Sequence, residues 1–303
     1  MRIVAWNAGW GRGADGVRAQ TDAVAALDAD IVFFSEWSPL RDRITSAGTP
    51  RSSCGHLRGG ELADLGLSHQ RQEHVSDREG DGRAWWRAYW GILAASRTPI
   101  TKTPLMPPLS DPGSWLEVTH EESGLTLVGV RMQAWEGKDI HRRREFWEWM
   151  IEQFQRLEST PTIVLGDFNT EMSYGSPAKA KRFGGDLLRS LTREHGWRDP
   201  YDATRKGKQP TFWQNHASRR LDYAFVSPVF AGTIDAVDAP TQVGDLVTSG
   251  PSRNESGERR GRLADHAPLV VDVTPTSPDA AEAGATSERA SVRAMASRSS
   301  SDA

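Results

Sequence analysis

One octapeptide, Thr162-Ile163-Val164-Leu165-Gly166-Asp167-Phe168-Asn169, constrains the fold more than any other stretch. A run of β-branched and apolar residues stops abruptly at Gly-Asp-x-Asn. Such a run reads as a buried strand that carries a carboxylate and a carboxamide to one rim of a sheet. A desolvated carboxylate without a partner is costly, so the rim is expected to meet a metal ion or to perform phosphate chemistry.

Strand-like runs recur along the chain: Ile3–Trp6, Ile31–Ser35, Gly91–Ala95, Trp115–Thr119, Leu125–Met132, Thr162–Leu165, Leu221–Ser227 and Pro268–Val273. Helical spacing of apolar residues appears between some of them, over Asp15–Leu27, His141–Leu157 and Leu187–His195. In the second of these, Phe146, Trp149, Met150, Phe154 and Leu157 form a stripe, and Arg142–Arg144 begin the polar face. Clustered strands with helices interspersed predict a layered α/β protein with mixed sheets. At 303 residues and 37% hydrophobic content, the chain can bury a sizeable core in one large or two average domains.

Two regions lack pattern. Residues 49–82, rich in Gly, Arg, His and Asp, read as a surface insertion. Gly250–Arg262 reads as a polar loop holding four arginines. The domain is expected to span residues 1–274, and 275–303, rich in Pro, Ser, Ala, Thr and Glu, is expected to be a disordered tail. The single cysteine, Cys54, excludes an intramolecular disulfide and a multi-cysteine zinc site, and fits a cytoplasmic protein. No apolar stretch has the length of a membrane span, and Met1–Trp6 is too short for a signal peptide. Nothing calls for an obligate protein partner. The net charge of −3 gives no global footprint for nucleic acid, so an anionic partner must be met by a local basic patch or a metal.

Five strands place polar groups at their ends: Asn7, Glu36, Asp167 with Asn169, Asp222, and the pair Asp265-His266. Taken singly, each has a bland reading as a turn residue, a solvated charge or a cap. Jointly they suggest convergence on one rim. Oxygen ligands without cysteine or clustered histidine suit Mg²⁺, with Mn²⁺ as the other candidate. A carboxylate, an amide and a histidine around such a cation form a constellation for phosphoester hydrolysis.

In these pieces the chain resembles the endonuclease/exonuclease/phosphatase superfamily. The matching segments are Trp6-Asn7, Ser35-Glu36, Gly166-Asp167-Phe168-Asn169, Arg220-Leu221-Asp222-Tyr223 and Ala264-Asp265-His266-Ala267-Pro268, in family order over roughly residues 1–274. The resemblance implies a deoxyribonuclease I-like α/β fold, a four-layer sandwich of two mixed β-sheets flanked by helices. It implies that Glu36 binds the cation with support from Asn7, and that Asp265 joins the metal site or its outer shell. Asp167 would orient or deprotonate the attacking water, and Asn169 would position the phosphate. His266 would stabilise charge on the phosphate, held by Asp222. Whether Asp167 or a histidine is the base stays open at the level of sequence.

Pro210-Thr211-Phe212-Trp213, followed by Arg219-Arg220-Leu221-Asp222-Tyr223, is similar to the exonuclease III and abasic-endonuclease branch, as is Gly196–Tyr201. There the Thr-Phe-Trp segment lies beside the bound nucleotide, so Phe212 and Trp213 are candidates for stacking on a base or sugar, or for packing beneath the site. Two positions depart from the branch. Arg219 stands where an aromatic pocket wall is usual. Arg131 stands where the superfamily usually has Tyr or His; it could bind phosphate as a permanent, bidentate cation but could not exchange a proton. Among the basic residues, those at Lys179–Arg182 and at Arg253–Arg262, including Arg259 and Arg260, are the first candidates for phosphate-backbone contacts. The leading expectation is a Mg²⁺-dependent nuclease acting on DNA. The alternatives are a phosphoesterase of the same fold on RNA, a phosphoinositide or another small phosphate, and a catalytically silent interaction module.

Overall fold

The computed structural model of the chain describes residues 1–9, 11–37, 43–44, 50–51, 54–55, 59–73, 91–105, 107, 113–134, 139–172, 176–204, 209–214, 217–251 and 261–276. In chain order the strands of its two large sheets are β1 (Arg2–Asn7), β2 (Ile31–Trp37), β3 (His69–Glu73), β4 (Gly91–Ser96), β5 (Ile100–Lys102), β6 (Trp115–His120), β7 (Thr126–Arg131), β8 (Thr162–Asp167), β9 (Asp222–Val226), β10 (Thr233–Asp238) and β11 (Leu269–Thr274). The helices are α1 (Gly13–Leu27), α2 (Gly59–Asp64), α3 (Ile140–Leu157), α4 (Pro177–Phe183), α5 (Gly185–Arg193) and α6 (Pro200–Thr204).

Strand periodicity decides the layering. In β1, Ile3 and Ala5 face inward and Val4 and Trp6 outward, because successive side chains leave a strand on opposite sides. The same alternation in β2 sends Ile31 and Phe33 inward. They meet Leu127 of β7 and Ile163 and Leu165 of β8 in a core between the two sheets. The outer face of the first sheet packs Val4, Trp6, Val32 and Phe34 against Ala23, Val24 and Leu27 of α1. The outer face of the second packs Val128, Val130 and Val164 against Phe146, Trp147, Met150 and Phe154 of α3 and Leu188 and Leu191 of α5. The result is the expected four layers, helix, sheet, sheet, helix. β8 is buried along its whole length, which explains its unbroken apolar run.

The six-stranded sheet has the order β10-β11-β1-β2-β4-β3, and the five-stranded sheet β9-β8-β7-β6-β5. Each has one parallel pair, β1 with β2 and β7 with β8; its other pairs are antiparallel. Register then fixes the site. Asp167 lies across from Asp222 on one side and Arg131 on the other, while Asn7 lies across from Ser35, next to Glu36. Parallel neighbours end together and antiparallel neighbours begin there, so every motif residue arrives at one rim.

All eight strands and all three helices expected from the sequence are present, with ends shifted by a residue or two. Residues 59–73 depart from the expected surface insertion. Their Leu62 and Leu67 are fully buried under the first sheet, and β3 pairs with β4 along its length, so this part completes the sheet. The pattern was hidden because β3, His-Gln-Arg-Gln-Glu, is an edge strand with a polar surface. The expected tail beyond residue 276 lies outside the described residues. Among the described residues no helix is long and apolar enough to cross a membrane.

Candidate active site

Asp167 ends β8 and is held from three sides. The Asn7 amide donates to Oδ2 at 3.0 Å, the Asn169 backbone N–H to Oδ1 at 2.8 Å, and the Asn169 side-chain amide to Oδ2 at 3.0 Å. That second amide also donates to the Met132 carbonyl at 2.6 Å, which locks its orientation. The turn needs unusual backbone. Gly166 has φ +138°, and a Cβ there would lie 2.1 Å from the Val130 carbonyl oxygen, so only glycine lets β8 run so close to β7. Three non-glycine described residues have left-handed φ, and two of them are Glu36 and Asn169. Strained backbone at both motif ends suits a site in which side chains must be aimed.

His266 stands beside this turn. Its Nδ1 bonds Asp222 Oδ2 at 2.9 Å, and its Nε2 lies 3.8 Å from Asp167 Oδ2. Burial works against a charge on the ring, but the flanking carboxylates of Asp222 and Asp167, with Asp265 nearby, outweigh it and raise the pKa to about 10. The imidazole is therefore an imidazolium at neutral pH. Burial pushes the Asp167 carboxyl upward, opposed first by the charge of His266. A carboxylate with raised proton affinity, next to a cation that partly neutralises it, can accept a proton from water near neutral pH.

Glu36 and Arg131 lie where the two sheets meet. The Arg131 guanidinium, 2% exposed, is 3.7 Å from Glu36, whose side chain retains 20% exposure. Arg131 is also the register partner of Asp167. Asn7 turns its side-chain carbonyl to the Gly9 N–H at 3.2 Å. Asp265 is half-buried next to His266. These donors are hard oxygens, and the chemistry of the set fits Mg²⁺ or Mn²⁺ rather than a soft metal. Asp167, Asp222 and His266 also place ligand atoms within 4.8 Å of one another, a cluster that could hold a cation. There the imidazolium already supplies a positive charge between two carboxylates, as the Arg131 guanidinium does beside Glu36.

The candidate substrate residues separate. Phe212 packs against the imidazole of His266, ring centroids 4.7 Å apart, and pairs with Arg219, which is exposed. Trp213 is only 8% exposed and belongs to the central core. Arg259 and Arg260 lie outside the described residues.

Three supporting roles were not visible in the sequence. The hydroxyl of fully buried Thr211 accepts from the Leu221 and Asp222 N–H groups, both at 3.0 Å, and its carbonyl accepts from Ala267 N at 2.7 Å, so it joins the segments that carry Asp222 and His266. Trp6 Nε1 donates to the His266 carbonyl at 3.0 Å. Arg143, expected on the polar face of α3, is 3% exposed and donates to the Asn169 carbonyl, Thr170 Oγ1 and the Phe183 carbonyl. One signal was available for Arg143: it falls three residues before Phe146, on the buried stripe.

Residues 4–266 match the model of the Endonuclease/Exonuclease/phosphatase family. No curated protein sequence matches the chain. Among solved structures, an endonuclease/exonuclease/phosphatase from Beutenbergia cavernae superposes with a TM-score of 0.60 at 19% identity, covering 91% of this chain and 71% of that one. The 3'-5' exonuclease NExo from Neisseria meningitidis gives a TM-score of 0.58 at 17% identity, with 90% and 99% covered. An AP endonuclease from Archaeoglobus fulgidus gives 0.58 at 14% identity, with 90% and 98% covered. At these identities the likeness is one of fold.

Proposed function

The chain belongs to the Endonuclease/Exonuclease/phosphatase family, and on that premise we propose that it is a Mg²⁺-dependent phosphodiester hydrolase acting on nucleic acid, DNA in the first place. The observation that carries this reading is the convergence of Asp167, Asp222 and His266, buried and within ion-pairing reach, at the rim where Glu36 and Asn7 also end. In this reading Asp167 orients the attacking water and takes its proton as the new phosphorus–oxygen bond forms. His266, held by Asp222, directs its charged Nε2–H at a non-bridging oxygen, where charge builds. Arg131 adds a permanent cation to the same phosphate, and Asn169 holds Asp167 in register. Glu36, with Asn7 and Asp265, would hold the divalent cation. That cation would supply neutralisation of the phosphate oxygens and of the departing oxygen.

Nucleic acid is favoured over a small phosphate by Phe212, whose ring borders His266, by exposed Arg219 opposite it, and by two structural neighbours named as an exonuclease and an AP endonuclease. The test is a panel of labelled abasic duplex, nicked duplex, single strand, RNA and inositol phosphate, with Mg²⁺ and with EDTA. Cleavage of a DNA substrate that EDTA abolishes is expected. Turnover of bis-p-nitrophenyl phosphate or inositol phosphate with no nucleic acid cleaved would overturn the nuclease reading and leave the phosphoesterase.

A further inference from the structure

The two basic runs nearest the catalytic turn have opposite fates. On α3, Arg143 is buried in the brace already described. Arg142 pairs with Asp139 at 3.6 Å, and Arg144 with Glu148 at 2.9 Å and Asp186 at 3.0 Å. On α4, Lys179, Lys181 and Arg182 are exposed. No ion pair among the described residues engages any of the three. Lys181 and Arg182, in the last turn, complement the helix dipole. Lys179 is not in that turn, and it shares a helix face with Arg182. Three cations with no carboxylate partner among the described residues, on a seven-residue helix, stand out in a chain whose net charge is −3.

This helix is fastened to the catalytic turn. Arg143 donates from Nε to the carbonyl of Phe183, the last residue of α4, at 3.1 Å, and from Nη2 to the carbonyl of Asn169. Thr170 Oγ1 also reaches the Phe183 carbonyl at 3.3 Å. The guanidinium groups of Arg182 and Arg143 lie 5.6 and 5.3 Å from the Phe183 ring. Gly184 then ends the helix with φ +81°, and a Cβ there would lie 2.2 Å from the Trp147 ring of α3. One buried arginine thus spans from the residue that fixes Asp167 to the end of the basic helix.

We infer that α4 is a docking surface for the phosphate backbone of the nucleic-acid substrate, with Lys179, Lys181 and Arg182 as its contacts, anchored through Arg143 to the turn that carries Asp167 and Asn169. The inference rests on the nuclease reading and deepens it. A polyanion running from the rim over α4 meets cations at a position set rigidly relative to the attacking water. A small phosphate at the rim has no further backbone to lay over α4.

The test uses the full chain with Lys179→Gln, Lys181→Gln and Arg182→Gln combined, assayed on duplex DNA across a salt series and on bis-p-nitrophenyl phosphate. KM for the duplex should rise roughly tenfold or more, and the slope of log affinity against log salt should fall by about 2 to 3, at about 0.9 for each phosphate no longer neutralised. Hydrolysis of the small ester should be unchanged. A variant with Lys179→Arg and Lys181→Arg should keep the duplex KM. If the triple variant fails to fold, Lys181→Gln alone should lower the slope by about 1. A wild-type enzyme that cleaves duplex, with KM and slope identical in the variant, overturns the docking surface and leaves the nuclease reading standing. A wild type that turns over only the small ester overturns both. Loss of binding to phosphatidylserine vesicles with duplex binding intact would assign α4 to a membrane surface and overturn the inference.

Discussion

The two sheets bring unlike halves to the shared rim. The five-stranded sheet contributes Asp167 and Asp222, and His266, carried just ahead of β11, sits between them; the trio is buried, with an imidazolium between two carboxylates that hydrogen bonds hold in place. The six-stranded sheet contributes Asn7 and Glu36; Glu36 has a left-handed backbone, partial exposure and an ion-pair distance of 3.7 Å to Arg131. The first half is preorganised, its proton positions fixed by neighbours before any ligand arrives. The second leaves oxygen atoms available to a ligand. The contrast suggests a division of labour, acid–base and phosphate chemistry on one side and cation holding on the other.

The sharpest way to break this comparison is to remove the preorganised half. Asp167→Asn and His266→Ala should each lower kcat by roughly 10²–10⁴-fold, the scale for a positioned proton-transfer group, with unchanged circular dichroism. Near-wild-type turnover in either variant would show that the chemistry lies elsewhere. Glu36→Gln should instead raise the Mg²⁺ concentration needed for half-maximal rate by roughly 10- to 100-fold, the scale for losing even an outer support of a metal site. If Asp222→Asn moves the Mg²⁺ requirement and Glu36→Gln does not, the two halves have been assigned the wrong way round. The mildest effect concerns stability. An unfolded histidine loses its proton near 6.5, whereas folded His266 keeps it to about 10. Its stabilising contribution is therefore full below pH 6.5 and lost as pH rises through about 10. The urea midpoint of the divalent-free protein should decline across that window, and His266→Asn should flatten the decline. An equal decline in both proteins would mean that His266 is not held charged.

Much of this half-and-half design was legible in the amino acids. Period-two alternation and continuous apolar runs located the central strands, and each motif residue sits at the end of a run that had to be buried. The edge strands were not legible. β3 and β10 present polar residues to solvent and take their conformation from a neighbour's hydrogen bonds, not from their own pattern. Thr211 was silent, and Arg143 showed its place on the buried stripe but not its partners, because neither a hydroxyl that caps two N–H groups 10 and 11 residues away nor a guanidinium that bridges 27 and 40 residues leaves a local pattern of contacts.

By itself, the sequence determined the layers, the family motifs and the hard-oxygen character of the rim, because burial and ligand chemistry belong to residue types and their spacing. Only the tertiary structure decided that Trp213 lies in the core while Phe212 borders His266, that Arg131 stands beside Asp167, and that α3 commits its arginines to ion pairs and a brace while α4 leaves its cations open to solvent. Those outcomes depend on register between distant strands and on which charges meet in space, and neither is written in the order of residues along the chain.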